Sequence, residues 1–243
     1  GRVFDQGAKL VSRAIESGNL FEGRTWRYIC QQVKTHGSTL HFIGLLSDGN
    51  VHSHEKHLYA LLEQAKREGV RRVRLHMLLD GRDVGEKTAE IYVARLNDVV
   101  KKLNADGAID VKVASGGGRM LVTMDRYEAD WSIVERGWKA HVLGEAPHQF
   151  TSLEEAIASF RKTPNLTYQN LPAFVVVDDN NEPVGRIENN EAVIFFNFRG
   201  DRAIEICKAF EEADFDKFDR IRYPKVFFAG MMEYDGDYHI PKN

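Results

Sequence analysis

The feature that most constrains this chain is a series of short, nearly unbroken apolar runs, each separated from the next by a longer amphipathic stretch. Residues 39–46 (TLHFIGLL), 72–79 (RVRLHMLL), 110–114 (DVKVA), 173–177 (AFVVV), 192–198 (AVIFFNF) and 225–229 (KVFFA) read as strands. They largely lack the apolar–polar alternation of a half-exposed sheet, so both of their faces must be covered, the condition of a mostly parallel sheet. The intervening stretches have helical spacing. Leu58, Leu61, Leu62 and Ala65 share a face, with Gly69 as the stop; Ala89, Tyr92, Val93, Leu96, Val99, Val100 and Leu103 form a longer stripe. Further helices are expected over Tyr127, Trp131, Val134 and Trp138, from Thr151-Ser152 onward, and over Ile204, Cys207 and Phe210. Ser152 and Glu155 have capping-box spacing. Residues 4–34 read as two helices, and residues 178–190 as a hairpin-like excursion. The expectation is an α/β fold, a mostly parallel central sheet with helices on both faces, forming one domain over residues 1–243.

Composition bears on this expectation chiefly by exclusion. A net charge of −3 over 243 residues gives no overall attraction to nucleic acid or anionic membrane, so any anion site must be local. Two cysteines, Cys30 and Cys207, stand far apart and outside any paired motif, which suits a reducing, intracellular (cytoplasmic) setting. No run approaches the roughly 20 apolar residues of a membrane span. The chain opens at Gly1 without a methionine, which reads as a domain excised from something longer.

The polar residues are informative through position. Ser47-Asp48-Gly49-Asn50-Val51-His52-Ser53-His54 follows the first strand and Asp80-Gly81-Arg82-Asp83 the second. Ser115-Gly116-Gly117-Gly118-Arg119 follows the third, with Asp125-Arg126 beyond it, and Arg199-Gly200-Asp201-Arg202 follows the fifth. The carboxyl ends of parallel strands lie along one edge, where ligands bind. Arg82, Arg119, Arg126, Arg199 and Arg202 would therefore meet there. Guanidinium matches carboxylate and phosphate in a planar two-point geometry. Neighbouring glycines would let backbone N–H groups face an anion. The cluster suits a small ligand with two or three negative charges, although Asp80, Asp125 and Asp201 stand close enough to pair with the arginines.

His52 reads as a hydrogen-bonding partner of such a ligand. A zinc site or metal-dependent phosphatase built on Asp48, His52 and His54 is the alternative, though it lacks a clear further protein ligand. Asp83 is either an acid/base group or a helix cap. Ser47 and Ser115 are loop residues without the setting of a nucleophile, and Trp131 and Trp138 read as core.

Together LLSDGNVHSH, DGRD, GGGR followed by MDRYEADW, and FFNFRGDR, in that order, resemble the cofactor-independent phosphoglycerate mutases, and the likeness runs over essentially the whole chain. In that family a phosphotransferase domain is inserted into an alkaline-phosphatase-like domain that carries a nucleophilic serine and two divalent metals, commonly manganese. The resemblance implies that this chain is the inserted domain alone, with His52, Arg82, Asp83, Arg119, Arg126, Arg199 and Arg202 binding phosphoglycerate and Asp83 exchanging a proton with the substrate hydroxyl. It implies no metal held in this chain, no need for 2,3-bisphosphoglycerate, a monomer, and a role in glycolysis and gluconeogenesis. A stand-alone anion-binding module is the other reading. Asn50 stands where the family usually has glycine; Asn tolerates a left-handed turn.

Overall fold

The computed structural model describes residues 2–243, with side chains from residue 7 onward. Seven strands form one sheet: β1 (Leu40–Leu46), β2 (Arg72–Leu79), β3 (Asp110–Gly118), β4 (His148–Phe150), β5 (Phe174–Val176), β6 (Ala192–Phe195) and β7 (Phe227–Gly230). Their order is β4-β5-β3-β2-β1-β6-β7. All neighbouring pairs are parallel except β3–β5. Eight helices surround the sheet: α1 (Arg2–Glu16), α2 (Asn19–Glu22), α3 (Arg24–His36), α4 (Glu55–Arg67), α5 (Ala89–Asn104), α6 (Trp131–Trp138), α7 (Leu153–Phe160) and α8 (Ile204–Glu211).

The apolar strands follow from a sheet buried on both sides. Every residue of β1 is buried. On β1 and β2 one parity (Leu40, Phe42, Leu46; Val73, Leu75, Met77, Leu79) joins the core formed with α3, α4, α5 and α7. The other parity (Ile43, Leu45, Leu78) packs toward α6, α8 and the segment around Met124. The expected three layers are present.

Four details depart from the sequence reading. The third strand continues through Ser115 and the glycine run to Gly118, so Ser115 is a strand residue rather than a loop residue. The glycines are there because neighbours come too close: a Cβ on Gly118 would lie 2.4 Å from the Gln169 backbone. Strand β4 was not expected and precedes α7, whose Ser152 cap does accept the Glu155 N–H. Tyr127 is not on α6; it is 80% exposed at φ 59, and the helix begins after Asp130, which caps Ser132 N. The amino-terminal part, expected as two helices, holds three.

Candidate functional site

The loops after β1, β2, β3 and β6 carry the residues singled out above, and these four strands are consecutive and parallel in the sheet. Their carboxyl ends therefore share one edge. Asn50 turns its loop with φ 58, as expected of a residue standing in for glycine. A Cβ on Gly49 would sit 2.8 Å from that of Asp83, so a bare backbone here lets the first loop lie against the second.

Asp80 organises the second loop. Its Oδ1 accepts the backbone N–H groups of Gly81, Arg82 and Asp83 at 2.9, 3.0 and 3.1 Å. Its Oδ2 accepts the Ser47 hydroxyl at 2.7 Å. Burial works against its charge, but these donors and Arg119 outweigh it, and the carboxyl is held below its ordinary value. The Gly81 and Arg82 amides are thus consumed by Asp80, Gly49 N–H by Ser47 Oγ, and Gly118 N–H by the Leu171 carbonyl. The expectation that glycine amides beside the arginines face a ligand does not hold at these positions.

Arg119 is 2% exposed and lies at the centre. Its Nη1 donates to Asp83 Oδ2 at 2.5 Å and Asp80 Oδ1 at 3.2 Å; its Nη2 donates to His52 Nε2 at 2.9 Å. Guanidinium can only donate, so His52 Nε2 is the acceptor and the ring proton is on Nδ1. That Nδ1–H is buried with no hydrogen-bond partner, 3.8 Å from Asp201 Oδ1. Burial, followed by the charges of Arg119, Arg199 and Arg202, pushes His52 down to about 3, so the ring is neutral. Asp201 Oδ1 also forms an ion pair with Arg199 Nε at 2.9 Å, and its Oδ2 lies 3.7 Å from Arg126 Nη1. Arg202 is buried and donates to the Met124 carbonyl at 2.8 Å. Burial and the fields of Arg119, Arg126 and Arg82 lower its proton affinity. The Arg82 guanidinium is exposed and makes no hydrogen bond or ion pair among the described residues.

The structure therefore brings His52, Arg119, Asp83, Arg126, Arg199 and Arg202 together, with Arg82 at the rim. Asp80 pairs with Arg119 rather than with its neighbour Arg82, and Asp201 pairs with Arg199. Asp83 is not a helix cap, because α5 begins after Thr88. The alternative trio does not assemble. Asp48 accepts from Tyr92 and Arg95, and His54 caps α4 through Lys56 N. Among the described residues no group of three or more His, Cys, Asp and Glu is placed to hold a metal.

Two buried networks were missed by sequence reasoning. A hydrogen-bonded chain runs Glu191–His41–His76–Ser115–His141–Thr123. Asp125 and Glu205 form a second, carboxyl pair. The first had one trace in the sequence, a histidine inside each of the first two strands, amid mostly apolar residues.

The class of protein is thus an α/β domain with a mostly parallel sheet, whose strand ends gather Arg119, Arg126, Arg199 and Arg202 near a neutral histidine, with Arg82 at the rim. The family model described as BPG-independent PGAM N-terminus matches residues 11–236, and the chain belongs to that family. A probable 2,3-bisphosphoglycerate-independent phosphoglycerate mutase of Leptospira interrogans is 55% identical over 243 residues, all of this chain and 44% of that relative. The Trypanosoma brucei brucei 2,3-bisphosphoglycerate-independent phosphoglycerate mutase is 53% identical, again over 100% of this chain and 44% of its own length. A crystal structure of Leishmania mexicana phosphoglycerate mutase at low cobalt concentration superposes with a TM-score of 0.95 at 52% identity, covering 98% of this chain and 43% of that one. The chain thus spans less than half the length of these relatives.

Proposed function

We propose that this chain is the substrate-holding domain of a 2,3-bisphosphoglycerate-independent phosphoglycerate mutase, which interconverts 3-phosphoglycerate and 2-phosphoglycerate in glycolysis and gluconeogenesis. One observation carries the reading: at one sheet edge Arg119, Arg126 and Arg199 share the carboxylates Asp80, Asp83 and Asp201, while among the described residues Arg202 beside them donates only to a carbonyl and Arg82 stands unpaired at the rim, a local positive surplus in a chain of net charge −3. A bound phosphate and carboxylate complete that balance. In this reading Arg82, Arg119, Arg126, Arg199, Arg202 and His52 bind the phosphoglycerate, and the orphan His52 Nδ1–H donates to one of its oxygens. Asp83, oriented by Arg119, takes the proton from the glycerate hydroxyl that accepts the phosphoryl group and returns it to the hydroxyl that releases it. Positioning and charge neutralisation of this kind make up much of phosphoryl-transfer catalysis.

The phosphoserine and two divalent metals, manganese by family likeness, belong to a companion domain of the same chain into which this one is inserted. The described residues offer no metal-binding group, so no step here runs through a metal. We further infer a cytoplasmic monomer; two buried free thiols fit a reducing compartment.

Calorimetry of this chain with 3-phosphoglycerate, sulfate and a nucleotide tests the reading. 3-Phosphoglycerate should bind tightest, Arg199→Ala should abolish that preference, and the chain alone should not turn the substrate over even with manganese. Equal binding of every anion would favour a stand-alone anion module, and turnover by the chain alone would overturn the division of labour.

A further inference from the structure

The loop between β3 and α6 carries Arg126, and the turn before α8 carries Arg199 and Arg202. A buried pair of carboxyls, Asp125 and Glu205, lies where the two meet. Asp125 and Glu205 are 5% and 3% exposed. Glu205 Oε2 accepts the Glu128 N–H at 3.2 Å, and Asp125 Oδ2 accepts the Asp130 N–H at 2.9 Å. Glu205 Oε1 is buried and has no conventional donor, and the two carboxyls are hydrogen-bond neighbours. Two ionised carboxylates are acceptors only and repel, so such a contact requires a proton between them. On either side of Asp125 the loop is tied to the same turn. Met124 O receives Arg202, and Arg126 approaches Asp201. The loop also holds Thr123, Tyr127 and Glu128 at φ 72, 59 and 53, a backbone that persists only when its surroundings over-determine it.

We propose that Asp125 and Glu205 share one proton and act as a latch that holds the Arg126 loop on the amino end of α8, so positioning Arg126 and Arg202. The latch rests on reading the arginine cluster as the anion site, and it deepens that reading by adding two positioning residues that touch no ligand.

The charges around the pair leave the proton in place. Glu128 acts on the pair and the Asp130 N–H bonds Asp125; Arg126 follows Asp125 in the chain, and Arg202 and Lys208 flank Glu205 on α8 and its turn. Lys208 lies 3.7 Å from Glu128, and Arg202 is spent on Met124 O. On α6, which packs against α8, Arg136 is turned to the Leu121 carbonyl and Glu135 to Lys139. Burial first, then Asp125, pushes the Glu205 carboxyl from 4.5 up to about 8. The folded value is the raised one, so the latch is closed at neutral pH and opens as pH rises through about 8.

The test uses the intact protein with its glutamate carboxyl carbons labelled for NMR, alongside 3-phosphoglycerate titrations at pH 7 and pH 9. The ligand's phosphate, with a second pKa of about 6, is already ionised at both. We expect Glu205 to titrate near 8 and the Glu128 amide to shift with the same midpoint. Binding should weaken roughly fivefold or more between the two pH values, the scale of an ordinary coupling between sites. Glu205→Gln keeps a donor to Asp125, so it should bind like the parent at pH 7 and lose the pH dependence; Glu205→Ala should bind weakly at both. Titration of Glu205 near 4.5, or a Gln variant as weak as the Ala variant, would overturn the latch. Failure of 3-phosphoglycerate to bind at any pH overturns the site reading instead and leaves the carboxyl titration to decide the latch.

Discussion

At the scale of single residues, Arg119 and Asp80 set the shape of the site before any ligand arrives. Arg119 is almost fully buried, and its charge is tolerable because Asp80 and Asp83 face it. Asp80 is bound in turn by three amides, a hydroxyl and that guanidinium. Removing one partner of a buried pair leaves the other uncompensated, so Asp80→Ala should cost about 3 kcal/mol of stability. Urea denaturation at pH 7 checks this, and a loss below ~0.5 kcal/mol, ordinary for a surface change, would show that water replaces the missing carboxylate. The arginines were legible in the sequence because four of them follow a strand within a short polar loop and Arg126 lies just beyond the third such loop. Their pairing was not, because a residue's partner depends on how neighbouring loops fold over one another. Asp80 next to Arg82 in sequence gives no hint that it serves Arg119, and Asp125 next to Arg126 gives none that it faces Glu205.

At the scale of elements, the apolar runs fixed where the strands lie, and the one polar line through them was hidden. His41 on β1, His76 on β2 and Ser115 on β3 share the sheet face turned to α6. The π-helical turn Lys139–Leu143, which continues α6, carries His141 to Ser115. Nothing in composition announces this, because the chain needs sheet register and that π turn to close. Glu191 accepts only, and each neutral histidine donates from one nitrogen and accepts at the other. Every proton can therefore point toward Glu191, from Thr123 through His141, Ser115, His76 and His41, with no histidine charged. Burial is the leading cause that lowers the pKa of all three rings, with His141 falling to about 3. The unfolded chain keeps the ordinary 6.5, so it takes up protons first as pH falls. Stability should decline below pH 6.5 at up to about 1.4 kcal/mol per pH unit for each histidine. Glu205 acts oppositely between 4.5 and 8, one group against these three and the likewise lowered His52, so the histidines dominate below pH 6.5 and Glu205 makes stability fall again between pH 7 and 8. Denaturation midpoints at pH 7, 6 and 5 report the balance; an unchanged midpoint would mean that the histidines are already charged in the fold.

At the scale of the whole molecule, charge is distributed against the mean: the chain is net negative, yet one sheet edge concentrates Arg82, Arg119, Arg126, Arg199 and Arg202. Like charges held together repel even where aspartates partly offset them, and with burial this repulsion lowers the proton affinity of Arg202 and His52. A polyanion bound there, as proposed, would offset that repulsion and would bind the folded state alone. At a hundredfold excess over its dissociation constant such a ligand adds about 2.7 kcal/mol of stability. For a domain of this size that corresponds to a rise in Tm of roughly 5–10 °C. 3-Phosphoglycerate should produce this shift in a thermal melt. Because Arg82 and Arg126 are partly or fully exposed, their share is screened by salt, with a Debye length of about 8 Å at physiological ionic strength. The shift should therefore shrink, but not vanish, between low and physiological salt. Arg202→Gln, which removes a buried charge together with its bond to Met124, should reduce the shift at both salt concentrations. A shift equal in that variant and the parent would mean that the anion is held at the exposed rim and not among the buried arginines.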